Sequence, residues 1–251
     1  MKKLLFLFTI LFSMSINAQS GEMRINMWYG TIENSDVEEH LALEKHFKSL
    51  WKQQRDAGML ANWEMWQLMN PNEASTHTTY LYVKFYTEEN RNSNNQISGI
   101  PEGLDQDTWE VVRDKQMSHF KKIYSTNVSY KGGFNNSTEG SKAAEYAVIN
   151  SMNVNWYKQA EYEDMELKTF MPINKKNGMR AWGLTKVLDQ LGTERKTNYY
   201  TIDFYNTLEE LFTLRSNTSK MSKSVIEANK KIDQIRSLLS SDIFKLVDNL
   251  D

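Results

Sequence analysis

The chain contains no cysteine. That excludes disulfides, iron–sulfur ligation and thiol nucleophiles, so packing alone must hold the fold. Its four histidines all lie in the first half and none has a zinc-ligand spacing; His40 and His46 fall on opposite sides of one helical stretch. There is no glycine-rich phosphate loop, no Gly-x-Ser-x-Gly and no dinucleotide fingerprint. An excess of basic charge is missing too. With 30 basic against 32 acidic side chains, the net charge is −2, which argues against nucleic acid, whose binding needs a positive field. No apolar run has the length of a comfortable membrane span. These absences predict no metal, no cofactor, no nucleic-acid partner and no membrane association once the N-terminal segment is removed.

That segment is the first feature present. Lys2 and Lys3 precede an apolar run, Leu4 to Phe12, and a short stretch ending in Ala18. The pattern is that of an export signal over 1–18, cut after Ala18, and predicts a periplasmic or secreted product. Seven Trp, twelve Tyr and eleven Phe supply bulk for a core.

The rest of the chain reads as two similar halves. "HFKSLWKQQRDAGM" (His46–Met59) lies over "ELKTFMPINKKNGM" (Glu166–Met179), and one deletion then brings Trp63 onto Trp182. "TTYLYVKFY" (Thr78–Tyr86) lies over "TNYYTIDFY" (Thr197–Tyr205). The first unit is placed at 19–134, a linker at 135–144 and the second unit at 145–251.

In the first unit the pattern predicts a strand over Arg24–Tyr29 and a capping box at Ser35 and Glu38. A helix follows, burying Leu43, Phe47, Leu50, Trp51 and Gln54 and ending at Gly58. Strands are expected at Asn62–Leu68 and Thr78–Tyr86, joined by a turn with Pro71, and then a polar loop over 88–106. A second helix from Thr108 is expected to bury Trp109, Val112, Phe120 and Ile123, before a strand at Val128–Phe134 broken by Gly132-Gly133. The second unit predicts a strand over Glu145–Val154 and a helix over Tyr157–Asn177 kinked at Pro172. Strands follow at Arg180–Leu188 and Asn198–Tyr205, with a short helix at Leu208–Leu214. A helix with Val225, Ala228, Ile232, Ile235 and Leu239 on one stripe and a strand at Ile243–Val247 complete it.

This order, strand-helix-strand-strand-helix-strand written twice, resembles the ferredoxin-like fold, and two such units resemble the dimeric α+β barrel superfamily, here fused in one chain. The fold class is therefore α+β. The resemblance implies a ligand cavity between two sheets. The superfamily includes cofactor-free monooxygenases, lactone isomerases, haem-degrading and chlorite-degrading enzymes, and proteins with no known activity. Haem-degrading relatives carry a helical His, a first-strand Asn and a Trp, which suggests Asn26, Trp109 and His119. Trp109 lies after a long insertion instead of at the end of the third strand, so haem is not expected and His119 is expected in solvent.

Strand alternation nominates the site. Leu81, Val83 and Phe85 share one face, as do Tyr200, Ile202 and Phe204, and these aliphatic faces are expected to carry the helices. Tyr80, Tyr82, Lys84 and Tyr86, with Tyr199, Thr201, Asp203 and Tyr205, are expected to face a shared interior, joined by Asn26, Trp28, Asn62, Glu64 and Trp66. For the second unit's first strand the register is open between Asn150 and Ser151. Glu64, Lys84 and Asp203 are the candidate proton-transfer groups, or else Glu64 and Lys84 simply pair. Asn26, Trp28, Trp66, Tyr80, Tyr82 and Tyr199 are the candidate ligand contacts, or else packing between sheets. Three functions follow: an exported protein binding a small, partly aromatic or carbohydrate-like ligand; a cofactor-free monooxygenase or isomerase-like enzyme with Glu64 as base; or an interaction module using Val225–Leu239. Two fused units permit a monomer or a homodimer.

Overall fold

The structure, a computed structural model, describes residues 23–70, 76–87, 89–90, 99–138, 140–189, 196–216 and 222–250. The expected signal at 1–18, the turn at Pro71 and much of 88–106 lie outside them. The first half runs β1 (Arg24–Glu33), α1 (Val37–Asp56), β2 (Leu60–Leu68), β3 (His77–Tyr86), α2 (Gln106–Ser118) and β4 (Phe120–Asn135). The second runs β5 (Tyr146–Val154), α3 (Gln159–Met165), α4 (Met171–Lys176), β6 (Ala181–Val187), β7 (Tyr199–Tyr205), α5 (Leu208–Ser216), α6 (Lys223–Ile232) and β8 (Arg236–Asn249).

The eight strands close into one antiparallel barrel in the order β1-β3-β2-β8-β5-β7-β6-β4. Split at its seams, the ring is β4-β1-β3-β2 followed by β8-β5-β7-β6, so each half has the same internal order. The seams β2–β8 and β4–β6 leave no sheet edge open. Eight strands give a lumen just wide enough for side chains or one small ligand.

The Gly-Met-Trp segments adopt one conformation in both halves. Gly58 and Gly178 have φ of 75° and 85°, a left-handed backbone that side chains with a Cβ resist. Met59 N–H donates to Gln54 O at 2.9 Å, and Met179 N–H to Asn174 O at 3.3 Å, closing each helix end with the same six-residue loop. Trp63 and Trp182 follow at 1 % and 2 % exposure, each in the layer between helices and sheet.

Helix boundaries depart from the pattern at four places. The Ser35–Glu38 box does not form: Ser35 sits in a short 3₁₀ turn, its hydroxyl donates to Asp36 Oδ1 (3.3 Å), and α1 begins without a side-chain cap. α2 ends at Ser118, so Phe120 and Ile123 lie on β4. α6 ends at Ile232, which places Leu239 on β8. In both, an apolar stripe continued by chance across a helix–strand junction. The long helix expected around Pro172 comes in pieces, with a π turn at Glu166–Phe170 before α4. Proline cannot donate the helical bond its position requires, and the widened turn absorbs that loss.

The larger correction concerns the sheet faces. Leu81, Val83, Phe85, Ile202 and Phe204 point into the lumen. Tyr80, Tyr82 and Tyr86 pack under α1 and α2, while Tyr199 and Tyr205 pack under the helices of the second half. The expectation had these faces exchanged. The physical reason is the helix layer itself: it brings His40, Glu44 and Gln116 to the sheet, giving the tyrosine hydroxyls partners, whereas the narrow lumen suits aliphatic groups. β2 is in register with Glu64 opposite Val83 and Trp66 opposite Leu81. Those two residues therefore share the lumen with the aliphatic face, and a one-residue difference in register separates them from Tyr80 and Tyr82. In β5, Ala147 and Ile149 line the lumen, and Asn150 turns outward to donate to Asp203 Oδ2 at 3.1 Å.

Candidate functional site

The lumen holds a cavity. It is a small space inside the barrel, partly open to solvent. Its wall is almost wholly apolar, with Ile25, Leu81, Val83, Ile149, Ile202 and Phe204 from strands of both halves. The polar groups on it are few: Glu64, the Trp66 indole, the Tyr130 hydroxyl and Thr185. Glu64 is 6 % exposed. Trp66 Nε1 donates to its Oε2 at 3.0 Å, and Asn62 Nδ2 approaches its Oε1 at 3.4 Å. All three residues stand on β2, so strand alternation alone assembles the group. Glu64 is thus held as an acceptor by N–H donors on its own strand. Among the described residues it is the single charged one on this wall.

Gly183 lines the wall opposite in topology: β2 and β6 occupy the same place in their halves, Glu64 follows Trp63, and Gly183 follows Trp182. Gly183 pairs with Gly133 of β4. A Cβ on Gly133 would lie 2.1 Å from the Trp182 carbonyl oxygen, so this seam is closed more tightly than any residue with a side chain permits.

Of the remaining predicted site residues, none joins Glu64 and Trp66. Lys84 lies on the helix side with its ammonium 3.8 Å above the Trp51 ring, and does not meet Glu64. Burial pushes its amine down to about 8, against the pull of Glu44. Asp203 bonds Asn150 and lies 3.6 Å from Arg215 Nη2; burial raises its carboxyl, against that guanidinium. Asn26 donates to Asn127 Oδ1 at 3.3 Å. Trp28 packs edge-on to Tyr82 and Phe120. Tyr199 donates to Glu163 Oε1 at 2.5 Å.

What the sequence reading missed is a polar nest between α1 and the sheet. His40 Nε2 lies 2.6 Å from the Tyr82 hydroxyl and 3.4 Å from Glu44 Oε1. Gln116 of α2 donates to the same Glu44 oxygen at 2.6 Å. Burial raises the Glu44 carboxyl to about 7 despite the bonds from Gln116 and Tyr82. Burial, and His119 alongside, lower His40 to about 4. His119 is 3 % exposed, stands beside His40 with ring centroids 5.7 Å apart, and contacts Glu39. The expectation of a solvated His119 is therefore corrected: the end of α2 turns it under α1. Trp109 packs instead on Phe47, so Asn26, Trp109 and His119 have separate surroundings. The signal for the nest was the i, i+4 pair His40 and Glu44, placed among the apolar positions of α1.

No protein-family model matches the chain, and no curated protein matches it in sequence. Solved structures do. A candidate monooxygenase from Fusobacterium nucleatum superposes with a TM-score of 0.62 over 92% of this chain and 95% of its own, at 10% identity. A second candidate monooxygenase, from Lactobacillus acidophilus, gives 0.56 over 90% and 94% at 11% identity. A haem-binding protein from Thermus thermophilus gives 0.51 over 91% and 92% at 10% identity.

The chain has the dimeric α+β barrel fold.

Both four-stranded sheets of this α+β barrel come from one chain, and the β2–β8 and β4–β6 seams do the joining. α1 adds a clasp across the halves. Lys48 pairs with Asp248 at 2.5 Å, and Arg55 donates to the Leu250 carbonyl at 2.5 Å. The lumen of the barrel is therefore completed without a second copy.

Proposed function

We propose that this chain is an exported protein whose barrel lumen binds one small, mainly apolar ligand, anchored by the Glu64 carboxylate. The observation that carries the reading is the cavity itself: a small, partly open apolar space inside the barrel with, among the described residues, one carboxylate on its wall, bonded by Trp66 and Asn62. Ligand pockets have this make-up, mostly apolar with a small number of placed polar groups that fix orientation. Export rests on the basic and apolar pattern of 1–18.

A second reading, cofactor-independent oxygenation, is favoured by the same carboxylate together with the two candidate monooxygenases of like fold. Glu64 would take a proton from an acidic O–H or C–H bond of the ligand, and molecular oxygen would oxidise the resulting anion.

Native mass spectrometry of the exported protein tests the binding reading. The expected result is a co-purified small molecule in the unmodified chain and its loss in Ala147→Leu, which projects into the lumen, with circular dichroism unchanged. Equal retention in both proteins would move the ligand outside the barrel. For the second reading, oxygen consumption with the released molecule should vanish in Glu64→Gln while binding persists.

A further inference from the structure

The two seams of the barrel are built alike and filled differently. β2 and β6 hold the same place in their halves, and Trp63 corresponds to Trp182, so Glu64, Met65 and Trp66 answer to Gly183, Leu184 and Thr185. Each seam skips one residue at the same step. On β8 the ladder passes from the Trp66–Leu246 pair to Met65–Asp248, leaving out Val247. On β4 it passes from the Thr185–Tyr130 pair to Leu184–Gly132, leaving out Lys131. The matched bulges keep the two strands in phase. Tyr130 therefore stands where β8 has Leu246, and Gly133 where β8 has Asn249.

The bulk is exchanged across these places. At the β2–β8 seam, β2 itself brings Glu64 and Trp66 to the lumen wall. At the β4–β6 seam the matching places on β6 hold Gly183 and Thr185, and the large group on the wall is Tyr130 of the facing strand. Its ring takes the room that the glycines release. A Cβ on Gly133 would lie 2.6 Å from the Tyr130 hydroxyl oxygen, and one on Gly183 would lie 3.5 Å from Tyr130 Cε2. The ring thus lies along bare backbone, and its removal would extend the lumen across the glycine pair. Protein interiors are close-packed, so a wall group of this size decides what fits beside it.

We infer that Tyr130 is the size-determining residue of the lumen: its ring confines the site to a compact apolar ligand and shuts out the longer one that Gly133 and Gly183 would admit. This rests on the lumen being the binding site, as proposed above, and deepens that reading by naming the residue that sets the length of the ligand.

Benzene, ethylbenzene and n-butylbenzene, titrated calorimetrically into the full chain, read the length that the lumen accepts. In the unmodified chain, affinity should not rise from benzene to n-butylbenzene. In Tyr130→Ala it should rise, by about fourfold for each methylene that enters the vacated space. Tyr130→Phe keeps the ring and should restore the unmodified order, which separates the bulk of the ring from its hydroxyl. Gly183→Ala adds a methyl beside the ring and should act in the opposite sense to Tyr130→Ala, weakening n-butylbenzene more than benzene. Binding of the longer probes that appears only in Tyr130→Ala supports the inference. The unmodified order persisting in Tyr130→Ala, or lost in Tyr130→Phe, would overturn it and leave the lumen reading standing. If none of the three probes binds the unmodified chain or any variant, the lumen reading falls as well. Where Tyr130→Ala does not fold, Gly183→Ala decides: equal weakening of all three probes, or none, overturns the inference.

Discussion

The Tyr82 hydroxyl lies 2.6 Å from His40 Nε2, and both groups are sealed between α1 and the outer face of the sheet. The next residue, Val83, points the other way, into the lumen. One strand thus serves two chemically separate compartments, and changes in one should be silent in the other.

Tyr82→Phe tests that separation. It removes the hydroxyl partner of His40 while keeping the ring packed on Trp28. A buried group left without its partner costs about 1–3 kcal/mol. Urea unfolding should show a loss of that size, and lumen ligand affinity should stay unchanged.

The two matched tryptophans should carry comparable weight. Trp63 and Trp182 are 1 % and 2 % exposed in the helix–sheet layers of their halves. Truncating a buried Trp to Ala costs about 3–5 kcal/mol. Each single variant, Trp63→Ala and Trp182→Ala, should lose that much by chemical denaturation.

The β4–β6 seam gives a sharper contrast between two glycines. A Cβ at Gly133 would overlap the Trp182 carbonyl oxygen at 2.1 Å, whereas one at Gly183 meets Tyr130 Cε2 at an ordinary 3.5 Å. Backbone cannot move aside as a side chain can. Gly133→Ala should lower the melting temperature by several degrees or more, roughly 4 °C or beyond for each 1–2 kcal/mol. Gly183→Ala should melt close to the parent while narrowing the cavity.

The buried carboxyls predict a pH profile. Glu166 is raised from 4.5 to about 7 by burial, against the pull of Arg236. The folded chain then holds a proton between about 4.5 and 7 that the unfolded chain releases, so the contribution of Glu166 falls as pH rises through that window. Glu44 behaves alike, but His40 opposes it: lowered from 6.5 to about 4, its contribution is complete above 6.5 and is lost as pH falls toward 4. In the first half the two trends offset; the second half contains no histidine, so Glu166 acts there without one. Glu166→Gln should therefore flatten the loss of stability from about pH 5 to about pH 8 in equilibrium unfolding, and Glu44→Gln should instead expose the acid-side loss due to His40.

The order of elements was legible because β alternation, glycine helix ends and repeated segments are local signals. Gly58, Gly178, Trp63 and Trp182 announced two like-built turns. Which face of a strand turns inward was not legible, because it depends on what the helices bring. Tyr80, Tyr82 and Lys84 look like cavity residues beside aliphatic neighbours, yet α1 supplies His40 and Glu44 to receive them. Glu64 and Trp66 were found by alternation along β2, but their grouping with Tyr82 needed an inter-strand register that only the fold provides: Tyr82 pairs with Met65, whereas Leu81 and Val83 pair with Trp66 and Glu64. Helix ends at Ser118 and Ile232 were hidden because the following strands continued the apolar spacing.

The substitution of Gly183 for a second carboxylate has a geometric consequence. A barrel assembled from two identical chains must offer every wall group twice, related by a twofold axis, so a guest could lie in it either way round with equal energy. Here Glu64 has a bare glycine as its counterpart, and that degeneracy is gone. A guest bound there as proposed would have a preferred direction along the lumen, and chemistry performed on it would be regioselective by placement alone.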